Sequence, residues 1–90
     1  MITTVSGVNF TYALFLTQSG QTITGMFISG NIRGTLVGSV SGTDIAFTIT
    51  DTTVEPGYTA NFTGTIVSDS EISGSVNDVH GETGSWTAYR

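Results

Sequence analysis

The side chains best suited to chemistry gather in one short phrase, Asp78-Val79-His80-Gly81-Glu82, which holds the chain's single histidine. An imidazole flanked by carboxylates can serve as a metal ligand or as half of an acid–base pair, because His changes charge near neutral pH. A protein metal site ordinarily recruits more than one His, or several carboxylates on a fixed scaffold. Asp78, His80 and Glu82 fall short of that and read as a solvated polar turn. No metal or cofactor is assigned. An enzyme using His80, an Asp or a Tyr at the end of a barrel is the third-ranked reading, and no catalytic residue is assigned. There is no Cys, and no Gly-x-Ser-x-Gly phrase of the kind that presents a nucleophilic Ser. Ser39 lies in Val37-Gly38-Ser39-Val40-Ser41-Gly42, a strand end and turn.

Tyr12 and Tyr58 are the other chemically capable groups. Both fall on the inward face of their strands, where a phenol combines an apolar body with a hydroxyl that can orient a ligand.

The elements that position these residues are written in a repeated phrase. Asn61-Phe62-Thr63-Gly64-Thr65-Ile66, Glu71-Ile72-Ser73-Gly74-Ser75-Val76 and Glu82-Thr83-Gly84-Ser85-Trp86 alternate large apolar residues or Gly with Thr or Ser. That is the period of a half-buried strand. No segment shows helical spacing. After a short leading strand at 2–5 and a Ser6-Gly7 turn, the pattern predicts strands over 9–17, 21–28, 32–40, 43–50, 58–67 and two more carrying Ile72 and Trp86. Turns are expected at Ser19-Gly20, Gly30-Asn31, Ser41-Gly42, Ser68-Asp69-Ser70 and Val79-His80-Gly81. Two-residue turns fix register. They set Leu14 opposite Gly25, Tyr12 opposite Phe27, Phe27 opposite Gly34, Gly38 opposite Ile45 and Leu36 opposite Phe47, each pair on one face.

The expected fold is all-β: one domain spanning 1–90, an antiparallel up-and-down meander of seven to eight strands. A small closed barrel, with the Trp86 strand pairing the Phe10–Leu16 strand, removes both sheet edges. A β-sandwich is the alternative. Inward glycines favour the barrel, because they let a narrow sheet coil sharply and let Trp86, Phe27 and Tyr58 lie across bare backbone.

This layout resembles the calycin-type meander barrels, which include lipocalins and fatty-acid-binding proteins. Leu16-Thr17-Gln18-Ser19-Gly20-Gln21-Thr22-Ile23-Thr24-Gly25 and Gly84-Ser85-Trp86-Thr87-Ala88-Tyr89-Arg90 are similar to phrases in many small bacterial β domains. Calycins are longer, and their Gly-x-Trp phrase lies on the first strand, not the last, so no functional residue carries over. What the resemblance implies is a small apolar molecule inside the barrel. Its expected lining is Tyr12, Phe27, Phe47, Tyr58, Phe62 and Trp86.

The outward faces suggest a second function. Ala13, Phe15, Met26, Ile28 and Val37 fall together outside the first three long strands, and a contiguous exposed apolar group points to an interface. The later strands present Thr, Ser and Asn instead. A homo-oligomer through the apolar face is therefore the alternative to small-molecule binding. Arg33 and Arg90 are the only basic residues against seven acids, for a net charge of −5. That lacks the basic footprint of nucleic-acid binding. No apolar run is long enough to span a membrane as a helix. The opening Met1-Ile2-Thr3-Thr4-Val5 has no signal-peptide character. The Thr-, Ser- and Gly-rich, low-charge composition suits an exported bacterial or phage protein with its leader removed, and a cytoplasmic location is equally compatible.

Overall fold

The structure, a computed structural model, describes residues 1–5, 8–53 and 56–89, with the backbone alone at Val5, Val8 and Phe10. The Ser6-Gly7 turn lies outside the described residues. The elements are β1 (Ile2–Val5), β2 (Val8–Thr11), β3 (Ala13–Ser19), β4 (Thr22–Ser29), β5 (Ile32–Ser41), β6 (Asp44–Asp51), β7 (Thr59–Ser68), β8 (Glu71–Asp78) and β9 (Thr83–Tyr89). Among the described residues, no helix is long and apolar enough to cross a membrane.

All nine segments form one antiparallel sheet in the order β2-β1-β9-β8-β7-β6-β5-β4-β3. This is the expected up-and-down meander, curled into a half-barrel. The order begins on β2 and ends on β3, which are consecutive pieces of one segment joined at Tyr12. Counted as one interrupted strand, they leave eight. The Trp86 strand does not pair with the Phe10–Leu16 segment as expected, because β1 is interposed. Thr3 lies opposite Trp86 on one side and Phe10 on the other.

The faces are as the alternation predicts, but two registers differ. Leu14 lies opposite Phe27 and Leu16 opposite Gly25; Gly38 lies opposite Phe47 and Leu36 opposite Ile49. Phe27 faces Gly34 as expected. The reason is the place of glycine in the turn. Gly20, Gly30 and Gly42 have φ of 62°, 60° and 62°. Each takes the first central position of its two-residue loop, where hairpin turns matched to the sheet's twist need positive φ. Ser19-Gly20 and Ser41-Gly42 thus give way to Gly20-Gln21 and Gly42-Thr43. Each slide moves a partner by two residues, which preserves the face.

Ile23, Phe27, Leu36, Ile45, Phe47, Ile49, Ala60, Phe62, Val76 and Trp86 form the buried core. Phe47 and Phe62 stack at 4.8 Å, and Trp86 meets them edge-on at 5.3 and 5.7 Å. The indole lies over the facing glycines of β7 and β8, and its N–H donates to Thr63 O and Ser75 O, both at 3.0 Å. A Cβ on Gly64 would stand 2.5 Å from Ser73 O and 2.7 Å from Trp86 Cζ2, and one on Gly34 would run into Thr50 O and stand 2.5 Å from Phe27 Cε1. These two glycines are therefore seats for rings.

Gly64→Ala is expected to destabilise the fold by about 1–3 kcal/mol, the usual cost of overpacking, because neither the Ser73 carbonyl nor the doubly bonded indole has room to withdraw. Urea unfolding followed by Trp86 fluorescence measures it. Thr3 offers the opposite test. It is 2% exposed, and its hydroxyl has no hydrogen-bond partner among the described residues. Thr3→Val is expected to raise stability by about 1 kcal/mol, by removing the desolvation cost of an unpaired hydroxyl at nearly constant volume.

Candidate functional site

Three places gather the residues singled out above: the interior, one rim of the half-barrel, and the outer face of β3–β5. The six expected lining residues divide between the first two. Phe47, Phe62 and Trp86 are buried against one another. Phe27 is buried beneath Tyr12, ring centres 5.6 Å apart, while Tyr12 and Tyr58 are half-buried nearer the rim.

At the rim, Asp78 is the organising group. Its Oδ1 accepts from the backbone N–H of His80 at 3.0 Å and of Glu82 at 2.9 Å, and its Oδ2 accepts from the Tyr58 hydroxyl at 2.9 Å. The sequence places it there, since an Asp side chain readily bonds backbone N–H groups just downstream. The His80 ring lies 5.6 Å from that of Tyr58. Desolvation pushes the Asp78 carboxyl up, but the donors from Glu82, Tyr58 and His80 outweigh it and hold the group below the ordinary carboxylate range. Burial, the bond to Asp78 and the nearby negative charge of Asp78 raise the Tyr58 phenol well above its ordinary value. Burial, then the negative charge of Asp51, raises Tyr12. Asp51 is 4% exposed, and its Oδ1 accepts from Thr53 N at 2.8 Å, closing the turn after β6. Among the described residues, no three His, Cys, Asp or Glu side chains converge as a metal cage. The rim is thus a hydrogen-bonded clasp between the β8–β9 turn and the start of β7.

The outer face is different in kind. Phe15 sits directly opposite Met26, and Ala13 opposite Ile28. Val37 lies opposite Thr24, diagonal to Met26 on the neighbouring strand. Phe15, Met26 and Val37 are 55%, 53% and 58% exposed, so they are not a second core layer. Ala13 is exposed and Ile28 half-buried. All five expected interface residues thus form one patch. On the other half of the outer face, a shallow open trough of about 480 Å³ is lined by hydroxyls such as Ser39, Thr63, Thr65, Ser73 and Ser75, with Asp44 at one side.

Two features of this region escape the alternation pattern. Leu16 shares the inward parity of Tyr12 and Leu14 yet is 46% exposed. It sits on β3, the last strand of the order, and no strand covers its far side among the described residues. Charge also divides along the chain. All seven acidic residues lie at Asp44 or beyond, so β1–β5 contain none and carry only Arg33. A count of acids by position was the signal for it.

Compared with protein-family models, with curated proteins and with solved structures, the chain shows no match.

The rim clasp has a pH signature. Asp78, depressed in the folded state, contributes stability above the unfolded carboxylate pKa of about 3.9, and that contribution is lost as pH falls through its folded value. Tyr58, raised, contributes stability below the unfolded phenol pKa of about 10, lost as pH rises toward its higher folded value. Unfolding free energy measured against pH should therefore fall at both ends, and Tyr58→Phe should flatten both limbs. Ultraviolet titration of the wild type should show Tyr12 and Tyr58 ionising above the range of free tyrosine.

Proposed function

We propose that this protein is a structural or interaction module that assembles with copies of itself through the acid-free side formed by β3, β4 and β5. The observation that carries the reading is the contiguous exposed patch of Ala13, Phe15, Met26, Ile28 and Val37. An apolar group of this kind on a sheet face tends to find a partner. Charge argues for a second copy as that partner. Two molecules of net charge −5 repel one another wherever their acidic halves approach, and the acid-free side is where they meet without opposing carboxylates.

The alternative, a small apolar ligand held in the interior, draws its support from the resemblance to calycin-type barrels and from the inward tyrosines. Against it stands the mutual engagement of Phe47, Phe62 and Trp86, the rings it would use as lining.

Native mass spectrometry with light-scattering chromatography separates the two readings. The wild type is expected to run as a discrete oligomer with no small mass lost on denaturation. Phe15→Glu is expected to give a soluble, folded monomer, with association weakened by about tenfold or more. A wild-type monomer, or an oligomer indifferent to Phe15→Glu, would overturn this reading. A small bound mass would favour the interior.

A further inference from the structure

The patch on β3–β5 adjoins a second feature, the outer edge of β3. We infer that two copies join through this edge, β3 of one pairing antiparallel with β3 of the other to make one continuous sheet. The inference rests on the self-association reading above and assigns it a seam and a register.

Backbone chemistry supplies the first argument. In a two-residue hairpin, the residues flanking the loop exchange both backbone hydrogen bonds, and such pairs alternate along the ladder. Ser19 and Thr22 flank Gly20-Gln21, so Ser19, Thr17, Phe15 and Ala13 bond to β4. Leu14, Leu16 and Gln18 then turn their N–H and C=O groups to the opposite edge. The same parity is visible at Tyr12, whose N–H donates to Met1 O and whose C=O accepts from the Met1 amine, each at 2.8 Å. Beyond Tyr12, among the described residues, no strand pairs with that edge.

The edge also carries none of the usual protections. Native sheets guard edge strands with charged side chains, Pro or bulges. Ala13-Leu14-Phe15-Leu16-Thr17-Gln18-Ser19 has no charge and no Pro, and its ladder to β4 runs without a register shift.

Register follows from which groups are open. A two-fold axis at Leu16 sets Leu16 against its counterpart and Leu14 against Gln18 of the other copy, in both directions. All three outward residues are then paired. Sliding by one step to set Leu14 against Leu16 sends Gln18 toward Tyr12, whose groups Met1 already holds. In the Leu16-centred register the exposed Leu16 side chains meet on the inner face. On the outer face the two Phe15 rings become diagonal neighbours, within reach of aromatic side chains. The two apolar patches thereby adjoin across the seam, and no carboxylate from either β3 enters it.

The chain has no cysteine, so single-thiol variants report the seam directly. Directly opposed residues in a hydrogen-bonded antiparallel pair have Cα atoms about 5.5 Å apart, within disulfide range. Leu16→Cys is expected to form a disulfide-linked dimer under mild oxidation, while Ser85→Cys, on the outer face of β9, stays uncrosslinked. Leu16→Pro removes an N–H that β4 does not use, a placement sheets accept on an edge strand. It should abolish the dimer, raising its dissociation constant about tenfold or more, with the circular dichroism of the wild type. Amide exchange gives a readout that needs no substitution. Protection of Leu14, Leu16 and Gln18 should rise from micromolar to millimolar protein. An oligomer that Phe15→Glu disperses, but that shows no Leu16→Cys crosslink and no concentration-dependent protection at these amides, overturns the seam and leaves the face reading standing. A wild type monomeric at millimolar concentration overturns both. Protection gained only when an extended peptide of another protein is added would also overturn the seam.

Discussion

One segment, Val8–Ser19, has to serve two neighbours, and the architecture follows from how it divides the work. Its first piece bonds to β1 and its second to β4, and the change of partner comes at Tyr12. Backbone groups alternate in direction along a strand, so β1 and β4 engage opposite edges of it. This is what brings the two ends of the sheet together. β1 pairs with the segment as far as Met1 opposite Tyr12. Past that point, among the described residues, the segment has one neighbour instead of two, and β3 is an edge.

A sheet curled this tightly needs thin places in its wall. Glycines facing inward supply them, and at Gly34 and Gly64 the Phe27 and Trp86 rings fill the space left. The Trp86 indole crosses from β9 over β8 to β7, and its N–H is satisfied by two strand carbonyls instead of by water. Packing and polar satisfaction are thus met by the same side chain. Both fail together if Gly64 acquires a Cβ, because the hydrogen bonds hold the ring where the new atom would lie. The inward tyrosines resolve differently. Tyr58 reaches the rim and spends its hydroxyl on Asp78, so the phrase Asp78-Val79-His80-Gly81-Glu82 becomes a turn organised by its own first residue.

Much of this was legible in the residues. Alternation placed Phe27, Leu36, Phe47, Phe62 and Trp86 inward, and each is buried. It placed Phe15, Met26 and Val37 outward, and each is exposed. Alternation has a period of two, so it cannot distinguish registers that differ by two. That is why the slides at Gly20 and Gly42 left every face intact while changing every partner. Deciding between them needed the conformational demand of the turn, which puts glycine first. Nor does alternation distinguish an edge strand from a central one. Leu16 has the parity of a core residue, and its exposure comes from the missing neighbour, a property of strand order. The leading strand expected at 2–5 is present as β1, but its place between β9 and β2 escaped, because four residues are too few for period to fix a partner.

The division of charge connects these points to function. A closed, evenly charged barrel of net charge −5 would present repulsion in every direction. Here the acids begin at Asp44, so the strands that follow carry the charge while β3–β5 carry the contiguous exposed patch around Phe15, Met26 and Val37 and the incomplete edge. On the self-association reading proposed above, solubility and association fall to different sides of one sheet. On that reading the acidic strands hold copies apart elsewhere on the surface, within the roughly 8–10 Å reach of charge at moderate salt. The side without acids is then the direction in which approach is unopposed. It is also the side where unpaired backbone groups and apolar side chains lose most by facing water. Because the repulsion is screened by salt and the apolar contact is not, the two terms have different salt dependence. Association through this side should strengthen as ionic strength rises, the opposite of what an interface held by ion pairs would do.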